Sequence, residues 1–207
     1  VTSMSCDTHK YGYAPKGTST VLYRGQDLRR YQYFTIADWP GGLYYSPTFS
    51  GSRPGGLSAA CWAALVTTGE KGYLEATRKI LDSVAIMKRG VAETPGLRLL
   101  GDPLFVFSFA ADDVDIYQVL DQMSYRRWAL TGLQHPAALH VSPTLRLAQP
   151  GVPERFVADL RESVDYVRKT PNIEGGMAPI YGLAAAIPDR SFVHDMLKQV
   201  MDIYYRP

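Results

Sequence analysis

Cysteines, long hydrophobic runs and an excess of one charge are all scarce in this 207-residue sequence. Cys6 and Cys61 are too few for a disulfide framework or a four-ligand zinc site, and they favour a reducing compartment. No window approaches about 18 consecutive apolar residues and no signal-peptide pattern is present, so we expect no membrane span in these residues. The 22 basic and 20 acidic residues leave a net charge of +2. Nucleic-acid binders usually carry a larger, clustered basic excess, so we expect no nucleic-acid partner.

The composition that remains is typical of a globular protein. Hydrophobic residues make up 46% of the chain and charged residues 20%, which excludes a disordered chain, a collagen-like repeat and a coiled coil. The length suits one domain of ordinary size or slightly more.

The first part of the sequence predicts two strands and a long loop. Residues 1–25 alternate as strand, turn and strand, and the β-branched and aromatic run Ser19–Tyr23 indicates a buried strand. Residues 31–56 interleave aromatic residues with glycine and proline, which predicts an irregular but ordered loop.

Helical periodicity begins at Ser58 with a strongly apolar segment, which we expect to be a buried helix. Gly69 and Gly72 interrupt this helix before a second, amphipathic helix over residues 73–92. Strand and helix patterns then alternate from residue 95 onward, which predicts a small α/β domain. The predicted strands are 97–100, 105–109 and 139–145, and the predicted helices are 115–128, 153–169 and 189–205.

The segment Asp7–Gly17 (D-T-H-K-Y-G-Y-A-P-K-G) contains the first candidate site. Lys10 directly follows His9 at the end of a predicted strand, and a lysine there could form a Schiff base with a carbonyl group. A lysine must be neutral to attack a carbonyl, so burial or cationic neighbours must lower its pKa. His9 and Lys16 could supply that positive charge. The alternative is a polar strand end with solvated lysines.

The small-residue loop, residues 49–56 (F-S-G-S-R-P-G-G), contains the second candidate site and leads directly into the apolar helix. Small residues let a backbone approach an anion, and the start of a helix adds exposed N–H groups and a favourable dipole. The loop is therefore a candidate phosphate cradle, although it lacks the G-K-S/T of a Walker motif. An ordinary glycine-rich turn is the alternative.

The remaining polar residues predict neither a metal site nor a serine-hydrolase site. His135, His140 and His194 match no zinc-ligand spacing, and we expect them to be packed or solvated. The acidic run 112–115 lacks the spacing of a calcium loop and leads into a helix N-terminus, where acids are favourable. The G-x-S-x-G motif of serine hydrolases is absent from the sequence.

Three segments together resemble the sphingosine-1-phosphate lyase family of the pyridoxal-phosphate-dependent group II decarboxylase superfamily. They are Asp7–Gly17, Ser50–Trp62 with the run G-S-R-P-G-G-L-S-A-A-C-W, and Glu174–Gly182 with the run G-M-A-P-I-Y-G. They occur in the family's order, and the resemblance that they mark extends over nearly the whole chain. The resemblance implies an α/β protein with the aspartate-aminotransferase-like fold, fold type I of the pyridoxal-phosphate-dependent transferases. The chain would then hold the end of the large domain and the small C-terminal α/β domain.

The resemblance also implies which residues bind the cofactor, pyridoxal 5′-phosphate (PLP). Lys10 would form the Schiff base with PLP, and His9 would lie against it. Gly51 and Ser52 would reach the cofactor phosphate across the interface of a homodimer with shared active sites.

The activity that the resemblance implies is cleavage of a phosphorylated sphingoid long-chain base. Retro-aldol cleavage of its Cα–Cβ bond would give a long-chain aldehyde and phosphoethanolamine, and the cofactor ring would accept the electrons. Lys16 would act on the substrate phosphate or in proton transfer, Lys10 is a second candidate base, and Tyr181 would lie near the mouth of the active site. An amino-acid decarboxylase of the same superfamily is the alternative, although a second lysine favours a phosphorylated substrate. A catalytically inactive binding module is a further alternative.

We expect the chain to correspond to the C-terminal half of such an enzyme. In this fold the aspartate on the pyridine nitrogen and the histidine on the ring lie upstream of the lysine, and only nine residues precede Lys10. The missing N-terminal half would therefore be a partner, and these 207 residues alone would be inactive. The predicted divisions are 1–72 for the large domain, 73–94 for a linking helix and 95–207 for the small domain. The resemblance implies a cytoplasmic location, or the cytosolic face of the endoplasmic reticulum through an anchor outside this chain.

Overall fold

A computed structural model describes residues 1–170, 176, 178, 182 and 187–205 of the chain. Contacts divide the chain into two compact units, Val1–Glu75 and Ala76–Pro207. The boundary falls inside the long helix α2 (Gly55–Ala92). The domain divisions drawn from the sequence stay a prediction.

The first unit contains two β-hairpins and the first part of α2. In chain order its other elements are β1 (Ser3–Asp7), β2 (Ser19–Tyr23), α1 (Gln26–Arg29), a 3-10 helix (Arg30–Gln32), β3 (Phe34–Trp39) and β4 (Gly42–Ser46). Strand β1 pairs antiparallel with β2, and β3 pairs antiparallel with β4, so each hairpin is a two-stranded sheet. Thr8 and Ala14 are the buried residues of this unit, so its burial is concentrated in the segment between β1 and β2.

Two predictions for this unit are wrong, the irregular loop over residues 31–56 and the burial of the strand Ser19–Tyr23. Residues 31–56, predicted as an irregular loop, contain the β3–β4 hairpin. Pro40 and Gly41 lie at its turn, and the residues on either side have high strand propensity. The buried strand predicted at Ser19–Tyr23 forms, but four of its five residues are exposed because its sheet has only two strands.

Helix α2 contains both helices predicted from the periodicity. The predicted interruption is confirmed at Gly69, whose φ of 60° and ψ of 172° lie outside the helical region. Glycine adopts this positive φ without the steric penalty that a Cβ would bring. The predicted burial of the apolar segment before Gly69 is wrong, because the side chains of Trp62 and Leu65 are 67% and 43% exposed.

The second unit packs helices against a four-stranded antiparallel sheet. After the rest of α2 its described elements are β5 (Leu97–Leu99), β6 (Phe107–Ala111), α3 (Ile116–Tyr125), β7 (Thr131–Leu133), β8 (Ala138–Val141), α4 (Val152–Lys169) and α5 (Arg190–Tyr204). The strand order is β5–β6–β8–β7. The largest fully buried side chains come from α2, the sheet, α3 and α4, and they include Met87, Phe107, Phe109, Met123, Leu139, Phe156 and Leu160.

The predicted α/β character is confirmed in this unit, and two helices begin at aspartate caps. The Asp115 carboxylate accepts a hydrogen bond from the backbone N–H of Tyr117 at 2.8 Å, at the start of α3. The Asp189 carboxylate accepts one from the N–H of Ser191 at 2.9 Å, at the start of α5. Strand β7 is missing from the predicted strands, because three residues are too few to show alternation. Within the described ranges, no helix combines the length and apolar character needed to cross a bilayer.

Candidate functional site

Lys10 lies in the turn that directly follows β1. Its backbone N–H donates to the Asp7 carbonyl oxygen at 3.1 Å, and its carbonyl oxygen accepts the N–H of Tyr13 at 3.2 Å. The hairpin register places Asp7 opposite Ser19, the first residue of β2. Lys10 is therefore held at the loop end of the β1–β2 hairpin.

Thr8 holds the two ends of this loop together. Its buried hydroxyl donates to the Thr18 carbonyl oxygen at 2.8 Å and lies 2.6 Å from the Thr18 hydroxyl. The Thr8 carbonyl oxygen accepts the N–H of Ala14 at 3.0 Å. A Cβ on Gly12 would lie 2.4 Å from that carbonyl oxygen, so the chain approaches itself too closely there for any other residue. The loop that contains Lys10 is consequently well constrained.

The same loop packs against α2. A Cβ on Gly17 would lie 2.4 Å from Cδ1 of Leu57, which places Gly17 against the first turn of the helix. The Tyr73 hydroxyl donates to the Gly12 carbonyl oxygen at 2.8 Å, and the rings of Tyr73 and Tyr13 stack with their centroids 6.2 Å apart. Because Leu57 directly follows the small-residue loop, the structure brings the lysine segment to the end of that loop.

The Lys10 amine has a carboxylate as its nearest charged neighbour. Its Nζ lies 2.8 Å from Oδ2 of Asp7, and both side chains are accessible to solvent. The Ser19 hydroxyl donates to the other Asp7 oxygen at 2.6 Å. The hydrogen bond from Lys10 to Asp7 raises the pKa of Lys10, and the same bond lowers the pKa of Asp7. The expectation that cationic neighbours lower the pKa of Lys10 is therefore wrong for this structure.

His9 and Lys16 lie on the same loop as Lys10. The His9 ring is half-buried, and its Nδ1 lies 3.4 Å from the Thr18 carbonyl oxygen. The Lys16 side chain is exposed. Their roles toward cofactor and substrate stay predictions. Tyr181 lies outside the described residues.

The small-residue loop leads into α2, as the sequence predicts. Gly51 and Ser52 are exposed, and open space surrounds the position that a Cβ on Gly51 would take. The Arg53 guanidinium donates to the Thr48 hydroxyl, which donates to the Ser50 carbonyl oxygen at 3.1 Å. The backbone of Gly51 and Ser52 is thus accessible to an anion, and their role at a cofactor phosphate stays a prediction.

Sequence reasoning missed two residues that shape this site, Asp7 as the partner of Lys10 and Tyr73 as an anchor of its loop. The three-residue spacing between Asp7 and Lys10 across a turn was a usable signal for the ion pair. Tyr73 carries no such signal, because 61 residues separate it from Gly12.

The fold is shared with solved structures of low sequence identity. Glutamate decarboxylase from Lactobacillus brevis aligns with a TM-score of 0.66 at 17% identity, over 84% of this chain and 42% of that chain. A mutant of the cystine C–S lyase C-DES, with glycine covalently linked to its PLP cofactor, aligns with a TM-score of 0.58 at 15% identity. That alignment covers 78% of this chain and 46% of that chain. The chain therefore has the fold of the PLP-dependent enzymes of fold type I, which confirms the predicted fold class.

Relatives of higher sequence identity narrow the class of protein further than the shared fold does. No family model matches the chain. Sphingosine-1-phosphate lyase from Oryza sativa subsp. japonica is 47% identical over 204 residues, which are 98% of this chain and 38% of that protein. The solved sphingosine-1-phosphate lyase of Burkholderia pseudomallei aligns with a TM-score of 0.84 at 43% identity, over 100% of this chain and 42% of that chain.

The resemblance predicted from the sequence is confirmed: nearly the whole chain matches the C-terminal part of sphingosine-1-phosphate lyases. The chain spans less than two fifths of the length of the curated relatives it matches. These relatives do not favour the alternative of an amino-acid decarboxylase.

Proposed function

We propose that this chain provides the cofactor-lysine segment and the C-terminal domain of a PLP-dependent lyase. Its substrate would be a phosphorylated sphingoid long-chain base, and its products a long-chain aldehyde and phosphoethanolamine. The observation that carries the proposal is the match of nearly the whole chain to sphingosine-1-phosphate lyases.

The chemical groups of the loop that contains Lys10 and of the small-residue loop fit PLP. Lys10 offers an accessible primary amine, which is the group that condenses with the cofactor aldehyde. Gly51 and Ser52 offer accessible backbone before the start of α2, which suits the cofactor phosphate. When bound, PLP supplies an electron sink for cleavage of a bond at the substrate Cα.

The other residues of the lysine loop would act on the cofactor and the substrate. His9 would lie against PLP, with its ring held near the Thr18 carbonyl oxygen. Lys16 is exposed on the same loop, so it is accessible to the phosphate or the hydroxyl of a substrate. Tyr181 would contact substrate near the mouth of the site.

The proposal includes partners for this chain. Gly51 and Ser52 would complete the phosphate site of a second subunit in a homodimer. Residues from the N-terminal half of the same enzyme would contact the pyridine nitrogen and the ring, since the chain spans only 38% of the rice relative. The enzyme would be cytoplasmic, or held at the cytosolic face of the endoplasmic reticulum by an anchor outside these residues.

Aldehyde release from a phosphorylated sphingoid base, measured with the complete protein, tests this function. We expect the native protein to release a long-chain aldehyde and phosphoethanolamine in equal amounts. We expect Lys16→Ala to retain PLP absorbance and to lose turnover by about 10²- to 10⁴-fold, the usual range for a lost acid or base.

Lys71→Ala is the matched control, because Lys71 is an exposed lysine on α2 whose amine lies 3.9 Å from Glu75. This variant should retain full turnover. Normal turnover by Lys16→Ala would contradict the role of Lys16. Carbon dioxide release from an amino acid, with no aldehyde formed from the phosphorylated base, would contradict the function itself.

A further inference from the structure

Asp121 is a buried acidic residue on α3, and 8% of its surface is exposed. Charged side chains are almost never fully buried unless they are paired. The Oδ2 of Asp121 accepts the backbone N–H of Ala178 at 2.9 Å, and Ala178 is buried as well. Hydrogen bonds that a carboxylate accepts are about twice as strong as bonds between neutral groups. This bond joins residues 57 positions apart, and it ties the chain that follows α4 to α3.

Gly176 lies against the same carboxylate. A Cβ on Gly176 would lie 2.2 Å from Oδ2 and 2.5 Å from Cγ of Asp121, which is closer than a Cβ can approach. The φ of Gly176 is 77°, in the left-handed region that favours glycine. Space and backbone conformation therefore both require glycine here. The Asp121 carboxylate thus contacts the chain at two points, Gly176 and Ala178.

Helix α3 provides a rigid base for these contacts. Seven of its ten residues are buried, and Val119 and Met123 are fully buried in the core. The Asp115 carboxylate caps its first turn. A side chain on a packed helix is held more precisely than one on a loop. The Asp121 carboxylate is therefore a fixed anchor for the chain that passes it.

The anchored residues belong to the third segment that resembles the lyase family, residues 176–182. Tyr181 follows Ala178 by three residues in the sequence, so the bond that fixes Ala178 limits where Tyr181 can lie. We propose that Asp121 is a positioning residue for substrate binding, and that it holds this segment so that Tyr181 contacts the phosphorylated base. The inference rests on the proposed lyase function and deepens it, because it names the residue that keeps one substrate contact in place.

Steady-state kinetics of the complete, PLP-loaded protein with a phosphorylated sphingoid base test this role. A lost contact that binds substrate and transition state equally raises KM and leaves kcat unchanged. We expect Asp121→Ala to raise KM by about tenfold or more, the effect of losing a hydrogen bond to a charged group, at native kcat. Asp121→Asn keeps an oxygen that can accept the Ala178 N–H, so its KM should stay close to the native value. A loss of stability alone would instead lower the apparent kcat at native KM, through a smaller folded fraction.

Further variants test whether Asp121 acts through Tyr181. Tyr181→Ala should raise KM, and adding Asp121→Ala to it should raise KM no further, because both changes remove the same contact. Gly176→Ala should also raise KM, since its Cβ would meet the Asp121 carboxylate. Asp82→Ala removes an exposed acid on α2 and is the matched control, which should leave KM and kcat unchanged.

Hydrogen exchange measures the anchor without any lyase activity. In the complete protein, the amides of a peptide that covers residues 176–182 should exchange about tenfold faster or more in Asp121→Ala, and near the native rate in Asp121→Asn. Asp82→Ala should exchange as the native protein does.

Native exchange in Asp121→Ala would overturn the anchor. Native KM in Asp121→Ala or Tyr181→Ala, or additive effects of the two, would overturn the positioning role while aldehyde release by the native protein upholds the lyase function. A native protein that releases no aldehyde would overturn the lyase function and this role with it, whatever the exchange rates show of the anchor.

Discussion

Lys10 and Asp7 form a charge-assisted hydrogen bond in an exposed turn, and this pair governs the chemistry of the lysine. Only the neutral amine attacks a carbonyl, so the raised pKa of Lys10 lowers the reactive fraction at any given pH. The Ser19 hydroxyl keeps the Asp7 carboxylate in place through its other oxygen. Asp7 therefore orients the amine and at the same time opposes its deprotonation.

Asp7→Asn is expected to lower the pKa of Lys10 toward its ordinary value. The substitution removes the carboxylate whose hydrogen bond and charge favour the protonated amine, so more of Lys10 is neutral at a given pH. An NMR titration of labelled lysine in the complete, cofactor-free protein measures the change. Asp38→Asn, which alters an exposed acid on β3, should leave the titration of Lys10 unchanged. An unchanged or higher pKa of Lys10 in Asp7→Asn would contradict the pairing.

At the scale of single residues, the sequence predicts the candidate site residues better than it predicts the residues that contact them. Lys10 and Lys16 stand out because they fall in a long segment that resembles one family. The contact between Gly17 and Leu57 depends on how two distant segments fold together, and no local pattern encodes it. The electrostatic expectation for Lys10 was wrong because it counted nearby cations without the turn that brings Asp7 closest.

Helices α2 and α4 approach each other closely at a glycine. Gly90 is buried in α2, and a Cβ there would lie 2.2 Å from Cγ2 of Val157 on α4. Because glycine has no side chain, Gly90 lets α2 and α4 pack this closely. Close helix contacts of this kind cannot be recognised from periodicity, since a glycine on the buried face interrupts the helical repeat of apolar residues.

Gly90→Ala should destabilise the protein by about 1–3 kcal/mol, the usual effect of overpacking a tight core. Val157→Ala in the same chain should recover part of that loss, because it removes the methyl groups that the new Cβ would meet. Chemical denaturation of the single and double variants measures the coupling. Gly56→Ala adds a Cβ with nothing within 4 Å, so its effect should be small. Fully additive effects of the Gly90 and Val157 substitutions would rule out the close contact.

Some helices and strands were predicted correctly from the sequence and others were not, and each outcome has a physical reason. Helices α3, α4 and α5 show clear periodicity, and the caps Asp115 and Asp189 mark two of their starts. The β3–β4 hairpin was missed because Pro40 and Gly41 look like loop residues, although they occupy the turn of a hairpin. The burial of β2 could not be predicted from its composition, since burial depends on what covers a strand.

The two units of the chain differ in how much apolar surface they bury. The second unit has a core of large side chains from a sheet and three helices. In the first unit Thr8 and Ala14 are buried, while Trp62, Leu65 and several aromatic residues of the β3–β4 hairpin are exposed. Large exposed apolar patches mark surfaces that another molecule or segment covers. This agrees with a chain that spans less than two fifths of its relatives' length.

The 207 residues expressed alone should therefore aggregate or remain partly unfolded, without lyase activity and without tightly held PLP. The physical reason is that the first unit exposes apolar side chains. The proposed function also assigns the carboxylate that keeps the pyridine nitrogen of PLP protonated to the N-terminal half of the enzyme. Light scattering, PLP absorbance and aldehyde release measure the three properties, and the N-terminal half added in trans should restore activity. A soluble, yellow and active monomer would contradict the expectation.

Borohydride reduction of the complete, PLP-loaded protein decides whether Lys10 is the lysine that binds the cofactor. Reduction fixes the cofactor to the amine that holds it, and mass spectrometry of the digested protein then identifies the modified residue. We predict a single pyridoxyl group on Lys10, and its loss in Lys10→Ala. A pyridoxyl group on Lys16, or on any other lysine of the native protein, would contradict the assignment of this loop as the cofactor site.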